Sequence, residues 1–500
     1  MRAAQVGGTP GTEAIVPLRK RWLFLAVVMI GTFMGPFDGS VVNIALPRLT
    51  QYFHVPVTTV EWVVIAYLLT ISTFLFTFGR LGDMIGLKRV YLAGFFVFVG
   101  GSLLCSLAPN VWVLVASRVL QAVGAGMLFA MGPAIVTKNV PPRQRGQALG
   151  LVGVSVSAGL AVGPTLGGLI IGTLDWRWIF LVNLPVGIVA GMLAYRVLPA
   201  DTHTKQRFDP AGATFSFCAL FPLLLVLSKG QAWGWGTPLV VGLVVMALVG
   251  AAAFIYTETH VAQPLLDLYL FRNRLFSAAT GSAMASYVVA ATVLFIMPFY
   301  LIQVRGFSVE HAGLLLTPLP VMTAIFGPLA GGLSDRMGSR ILSTTGLAVS
   351  LVGVLSLIPM SEHTPIWGIV LRMGVVGLGL GLFTPPNTSA IMGSVPRKRF
   401  GIASGTVATA RNVGQVLGVS MAGMVLAVRQ PVYLAQLAGT MSPDAAAKTA
   451  FLSAAHDAAR VAAVVCVLGI LASLVRGSGT VTEVAARHPR PDAAEAAERM

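Results

Sequence analysis

The sequence predicts an all-α polytopic membrane protein of fourteen spans, two six-helix bundles with two further transmembrane helices inserted between them. Three observations carry that reading. Charged residues make up 10% of the 500 residues and hydrophobic ones 56%, against about 25% charged in soluble proteins. The apolar residues come in runs of about twenty, the bilayer-crossing length at about 1.5 Å per helical residue. Two basic-loop signatures recur half a chain apart. So few charges cannot furnish a water-soluble surface, and the wealth of Val, Leu, Ile and Phe excludes disorder.

Bounded by charges, Pro or Gly, the runs fall at 23–46, 60–80, 90–108, 112–137, 147–172, 177–197, 211–228, 238–257, 277–302, 311–332, 342–360, 366–392, 402–428 and 458–475. The first follows Arg19-Lys20-Arg21. Its length, the lack of a small-x-small cleavage site and the spans behind it mark a retained helix, not a removed leader. Behind a cytoplasmic segment (1–22), runs one to six form a first bundle over 23–198. Runs seven and eight, apolar almost throughout, form the inserted pair within 199–275, and runs nine to fourteen form a second bundle over 276–476. The stretch 429–457 reads as the only long external loop, and 477–500 as a disordered cytoplasmic tail.

An even number of spans puts both termini on one side. With that side cytoplasmic, Lys and Arg in the cytoplasmic segments outnumber those outside by roughly four to one, the positive-inside asymmetry. Sidedness thus absorbs most of the +16 net charge, which makes the lipid bilayer and its anionic lipids partners and nucleic acid not one. The expected place is a cell membrane, inner or plasma. Cys105, Cys218 and Cys466 all lie inside apolar runs, leaving no disulfide or metal framework.

The repeat is explicit. Gly79-Arg-Leu-Gly82-Asp83-Met-Ile-Gly86-Leu-Lys88-Arg89 follows run two, and Gly331-Gly-Leu-Ser-Asp335-Arg336-Met-Gly-Ser-Arg340 follows run ten. Pro142-Arg-Gln-Arg145 and Pro396-Arg-Lys-Arg399 repeat at nearly the same offset. In the loop, Gly79 and Gly82 permit close helix approach and Gly86 a tight turn. Asp83 complements a helix N-terminus, its own or a neighbour's, and Lys88 and Arg89 hold the loop at the cytoplasmic face. These features read as a conformational latch, with a thinner cationic cluster beside Asp335 and Arg336 in the second copy.

Asp38 is the one carboxylate well inside a span, past the midplane of run one. Acids at such depth usually face a cavity and serve ion or substrate pathways. Withdrawal from water favours the neutral carboxyl, and a nearby guanidinium favours the charged one. Arg118, in run four at a compatible depth, can supply that guanidinium, and Gln121 one turn on can hydrogen-bond either partner. A shape change that altered the Asp38–Arg118 separation would load or release a proton. The alternative is a static buried ion pair that fixes helix packing.

Further segments sharpen the picture. Arg118-Val-Leu-Gln121-Ala-Val-Gly124-Ala-Gly126 lies in run four, and Gly159-Leu-Ala-Val-Gly163-Pro164-Thr-Leu-Gly167-Gly168 in run five. Asp38-Gly-Ser-Val-Val-Asn43-Ile-Ala-Leu-Pro47 lies in run one, with Trp176-Arg-Trp-Ile-Phe-Leu-Val-Asn183-Leu-Pro185 leading into run six. With the repeated loop, these segments resemble motifs A, B and C of the major facilitator superfamily, in the fourteen-spanner drug:proton antiporter family of EmrB/QacA type. The resemblance runs in order over nearly the whole chain, inserted pair included. It implies the major facilitator fold, with Asp38 as a proton- and cation-handling position. The glycines and Pro164 of motif C suit either a flexing seal or plain packing.

A cavity for amphipathic cations needs aromatic and Met surface with few charges. Asn43 joins Asp38, Arg118 and Gln121 in the expected proton and substrate site, and candidate lining residues are Phe37, Trp62, Tyr67, Tyr300, Gln303 and Asn387. Glu61 and Glu310 at outer span ends read as solvated or as second cation attractors, and Arg411 as snorkelling to the cytoplasmic end. No Walker A lysine, His/Cys metal cluster or nucleophile–base pair stands out, so neither an enzyme, an ATP-driven pump, a metal site nor a cofactor is expected. The expectation is proton-coupled, alternating-access export of hydrophobic or cationic drugs and toxic compounds, with a periplasmic adaptor left open. Rivals are export of one endogenous metabolite, lipid or antibiotic, and a non-transporting receptor or scaffold on the same fold.

Overall fold

The structure, a computed structural model, describes residues 18–199, 208–261, 264–438 and 440–476. The expected tail and most of the N-terminal segment lie outside them. Fourteen helices among the described residues are long and apolar enough to cross a bilayer. Spans one to six are Trp22–Phe53, Thr58–Ile85, Leu87–Ser106, Val111–Asn139, Pro142–Thr173 and Trp178–Val197. Spans seven and eight are Pro210–Gly230 and Pro238–His260. Spans nine to fourteen are Arg274–Val304, His311–Met337, Ser339–Leu357, Ile366–Gly393, Arg397–Leu437 and Pro443–Val475. Each overlaps one predicted run.

Local chemistry sets the ends. Asn110 accepts hydrogen bonds from the amides of Trp112 and Val113 at 3.1 and 3.0 Å, starting span four. Between spans two and three the chain reverses at Gly86, with φ 106°, and between spans ten and eleven at Gly338, with φ 87°. Side chains with a Cβ avoid that region, so the glycines make both turns.

One expectation is corrected. The stretch 429–457 is mostly helix, because span thirteen runs to Leu437 and span fourteen begins at Pro443. Polar residues that look loop-like in sequence tie the two helix ends together. Asp457 accepts from Arg429 Nε at 2.7 Å, Tyr433 Oη at 2.8 Å and Arg460 Nη1 at 2.6 Å.

In the first bundle span one packs on five, and span four on two and three; in the second, span twelve packs on ten and eleven, and span nine on thirteen. The bundles meet where span five packs on span ten and span two on span thirteen. Spans seven and eight pack on each other, and span seven rests on spans two and thirteen. The inserted pair therefore lies along the seam rather than inside either bundle.

The seam is tight at the end carrying the repeated basic loops. A Cβ on Gly79 would lie 2.5 Å from Gly401 O, and one on Gly331 would lie 2.0 Å from Gly146 O. A Cβ on Gly405 would lie 2.7 Å from Leu75 O, whereas further along span five one on Gly153 would meet nothing within 4 Å. Beyond Gly405, Gly414 and Gly418 face span nine of their own bundle. The bundles are thus zipped at the basic end.

Candidate functional site

Asp38 and Arg118 are both at zero exposure and form an ion pair between spans one and four. Such a pair is costly in a low-dielectric interior unless its remaining lone pairs and protons find partners. Here the carboxylate oxygens and the Arg118 Nε and Nη1 do, while Arg118 Nη2 is buried without a hydrogen bond. Gln121 Nε2 donates to Asp38 Oδ1 at 2.8 Å and Asn183 Nδ2 to the same oxygen at 2.9 Å. Arg118 Nη1 donates to Gln121 Oε1 at 2.7 Å and Arg118 Nε to Val63 O at 3.1 Å. Gln121 Nε2 also donates to Ser102 Oγ at 2.7 Å. Spans one, two, three, four and six thus converge on a single carboxylate.

Tyr67 is the wall between this cluster and the space between the bundles. Its ring centroid lies 3.8 Å from the Arg118 guanidinium carbon, and its hydroxyl donates to Gly35 O at 3.2 Å. On its other side is a cavity of about 200 Å³ lined from spans one, two, four, five and thirteen. Tyr67, Asn43, Ile71, Phe129, Arg411 and Gln415 are among its lining residues.

The other expected cavity residues lie elsewhere, because helix rotation turns them away. Phe37 is buried and stacks on Phe33, and Trp62 stacks on Trp233 of the inserted pair. Tyr300 donates its hydroxyl to Ser361 O at 2.8 Å, and Gln303 is exposed. Asn387 is buried, donating to Ala279 O at 2.9 Å and accepting from Arg476 Nη1 at 2.7 Å. Glu61 pairs with Lys229 of span seven, and the side chain of Glu310 lies outside the described residues. Arg411 is not at the basic end: it lines the cavity, its guanidinium carbon 3.4 Å from the Phe129 ring centroid.

Motif A is placed at the seam. Asp83 accepts from the Gly401 and Ile402 amides at 2.7 and 2.8 Å, at the start of the helix Phe400–Leu437 in the opposite bundle. Asp335 does the same from the other side, accepting from Gly146 and Gln147 at 2.9 and 3.2 Å. Each carboxylate sits where a helix leaves its first amides unpaired and its dipole positive. Lys88 instead closes a helix C-terminus within its own bundle, donating to Tyr195 O and Leu198 O at 2.8 and 2.6 Å. Arg89 and Arg336 are exposed. Gly82 clears Met131, whose sulfur would lie 2.4 Å from an added Cβ.

Motif C grips span one around the carboxylate. A Cβ on Gly159 would lie 2.9 Å from Phe37 N, one on Gly163 would lie 1.8 Å from Ser40 Oγ, and one on Gly167 would lie 3.1 Å from Val41. Gly168 faces away, with nothing within 4 Å, and the Pro164 side chain lies outside the described residues. Ser102 and Asn183 are the residues sequence reasoning missed as members of the site. Asn183 stands in a quoted motif, and a lone amide in an apolar run was the available signal.

The Major Facilitator Superfamily pattern matches residues 28–419 and 275–475. The chain belongs to the major facilitator superfamily. It is 33% identical over 457 residues to the riboflavin transporter RibZ of Clostridioides difficile, covering 91% of this chain and 97% of that protein. It is 32% identical over 427 residues to the multidrug resistance protein Stp of Mycobacterium tuberculosis, covering 85% of this chain and 78% of that one. The solved structure of the human organic anion transporter MFSD10 shares its fold, with a TM-score of 0.61 at 16% identity over 91% of this chain and all of that one. Fourteen spans and multidrug-resistance relatives fit the fourteen-spanner drug-antiporter branch of this superfamily. Its relatives are transporters, and this chain is a multi-pass membrane protein of the same family.

Proposed function

We propose that the chain is a proton-coupled exporter of hydrophobic small compounds, working by alternating access with both termini cytoplasmic. The Asp38 cluster is the observation that carries this reading. A carboxylate with two amide donors and one guanidinium, a single aromatic ring from the central cavity, is a group whose protonation changes what holds several helices together. Proton arrival removes the charge that Arg118 compensates, loosening span one from spans four and six. Span five, locked to span one at Phe37, Ser40 and Val41, carries that change to its seam with span ten. Tyr67 touches both the guanidinium and the cavity, so a bound compound and the proton act on the same wall.

The test is transport in proteoliposomes under an imposed pH gradient, using a panel of apolar dyes together with riboflavin. Asp38→Asn is expected to abolish gradient-driven movement while the protein still inserts and purifies as a single species. Movement at the wild-type rate in that variant overturns the reading. A second reading, transport of one dedicated metabolite, draws support from the riboflavin transporter relative, and riboflavin moving alone within the panel would select it.

A further inference from the structure

The central cavity holds a charge that the proton cluster does not use. Arg411 lies about eleven residues into the helix Phe400–Leu437, roughly 16 Å from its start and within an apolar span. It is the only charged side chain lining the cavity among the described residues. Its guanidinium rests on the Phe129 ring, and its Nη2 is buried with no hydrogen-bond partner. The carboxylates on the neighbouring cavity-lining spans are engaged elsewhere. Asp38 is held by Arg118, Asp83 by the Gly401 and Ile402 amides, and Glu61 by Lys229.

A cation at this depth is costly, and an aromatic face offsets only part of that cost. Among the described residues nothing supplies its counter-charge, and the cavity is where one can be supplied. We propose that Arg411 anchors an acidic group on the transported compound, so that the cavity selects amphipathic organic anions, aromatic carboxylates or sulfonates, over lipophilic cations. A planar guanidinium receives a carboxylate through two parallel N–H donors. Asn412 and Gln415 on the same helix and Asn43 opposite offer further polar contacts, while Ile71 and Leu160 give the apolar wall. For a cation the same low-dielectric space would magnify repulsion. This inference rests on the cavity being the transport site, and it replaces the cationic substrate that the sequence suggests.

Two dyes with one fluorophore and opposite charge separate the outcomes: dansylglycine, a carboxylate, and dansylamidoethyl trimethylammonium. Each is followed in proteoliposomes under a pH gradient, for the wild type, Arg411→Gln, Arg411→Lys and Asp38→Asn. The expected result is that the wild type moves the anion at least about tenfold faster than the cation. Arg411→Gln erases the preference by slowing the anion, and Arg411→Lys keeps most of it. A cation moved as fast as the anion, or both dyes slowed equally by Arg411→Gln and Arg411→Lys, overturns the inference and leaves the transport reading standing. Neither dye moving in the wild type overturns both. Asp38→Asn without effect on a dye that moves overturns the proton coupling alone.

Discussion

Asp38 and Arg118 neutralise each other at zero exposure, and the consequence for mutants is lopsided. Removing one member of a buried pair leaves the other uncompensated, at a cost of about 3–5 kcal/mol, whereas removing both together is often near neutral. Asp38→Asn alone is therefore expected to lower the melting temperature of the purified protein. Asp38→Asn combined with Arg118→Gln should recover most of that loss, with proton coupling absent in both. A double variant less stable than the single would show that the pair is not a closed electrostatic unit. The charged members of the cluster were legible because charges inside apolar runs are rare enough to stand out. Ser102 was not, since a hydroxyl in a membrane helix usually bonds its own backbone. The place of Arg411 on the cavity wall was not legible, because it depends on which way span thirteen is turned, and only its neighbours determine that.

Among the elements, the repeated loops act as a pair of crossed caps. Asp83 caps the start of span thirteen and Asp335 the start of the long helix of span five, each reaching across the seam. Loss of a side-chain cap costs about 1 kcal/mol, and that amount shifts a two-state equilibrium about fivefold. Ser404 is buried at this seam, donating to Ala130 O. In a background lacking the three native cysteines, a cysteine at position 404 should react with a polar maleimide about fivefold faster when Asp83→Ala is added. An unchanged labelling rate would show that the cap does not bias the two shapes. Gly331→Val should block closure outright, given the 2.0 Å approach to Gly146 O, while Gly168→Val, with open space around it, should leave transport near normal. The sequence showed the carboxylates in matching frames but left open whose helix they served. Sequence order does not say which helix start lies opposite.

The molecule as a whole was read from the sequence most fully, because bilayer thickness and loop charge constrain every span at once. What escaped was the hairpin joining spans thirteen and fourteen, where Asp457 gathers Arg429, Tyr433 and Arg460 and keeps helices going past the apolar runs. The position of the inserted pair also escaped, since almost featureless apolar helices carry no marker of their neighbours. That pair bridges both halves: Lys229 pairs with Glu61, and Ser420 donates to Leu227 O at 2.8 Å. If the bundles rock against each other, a Leu227→Cys, Ser420→Cys cross-link should slow transport severely, with reduction restoring it. Transport unaffected by the cross-link would make the pair a rigid rider on the second bundle.

The arrangement of fixed charge around the cavity has an electrical corollary. The Asp38–Arg118 pair is neutral overall, and the charge of Arg411 stays on its helix. One organic anion leaving for each proton that enters would move two positive charges inward, each worth about 2.3 kcal/mol per 100 mV of membrane potential. A monovalent cation exchanged for one proton would move none. A potassium–valinomycin potential, negative inside and with equal pH on both faces, should then drive dansylglycine outward by itself, and a transporter indifferent to voltage would point to the other balance of charge.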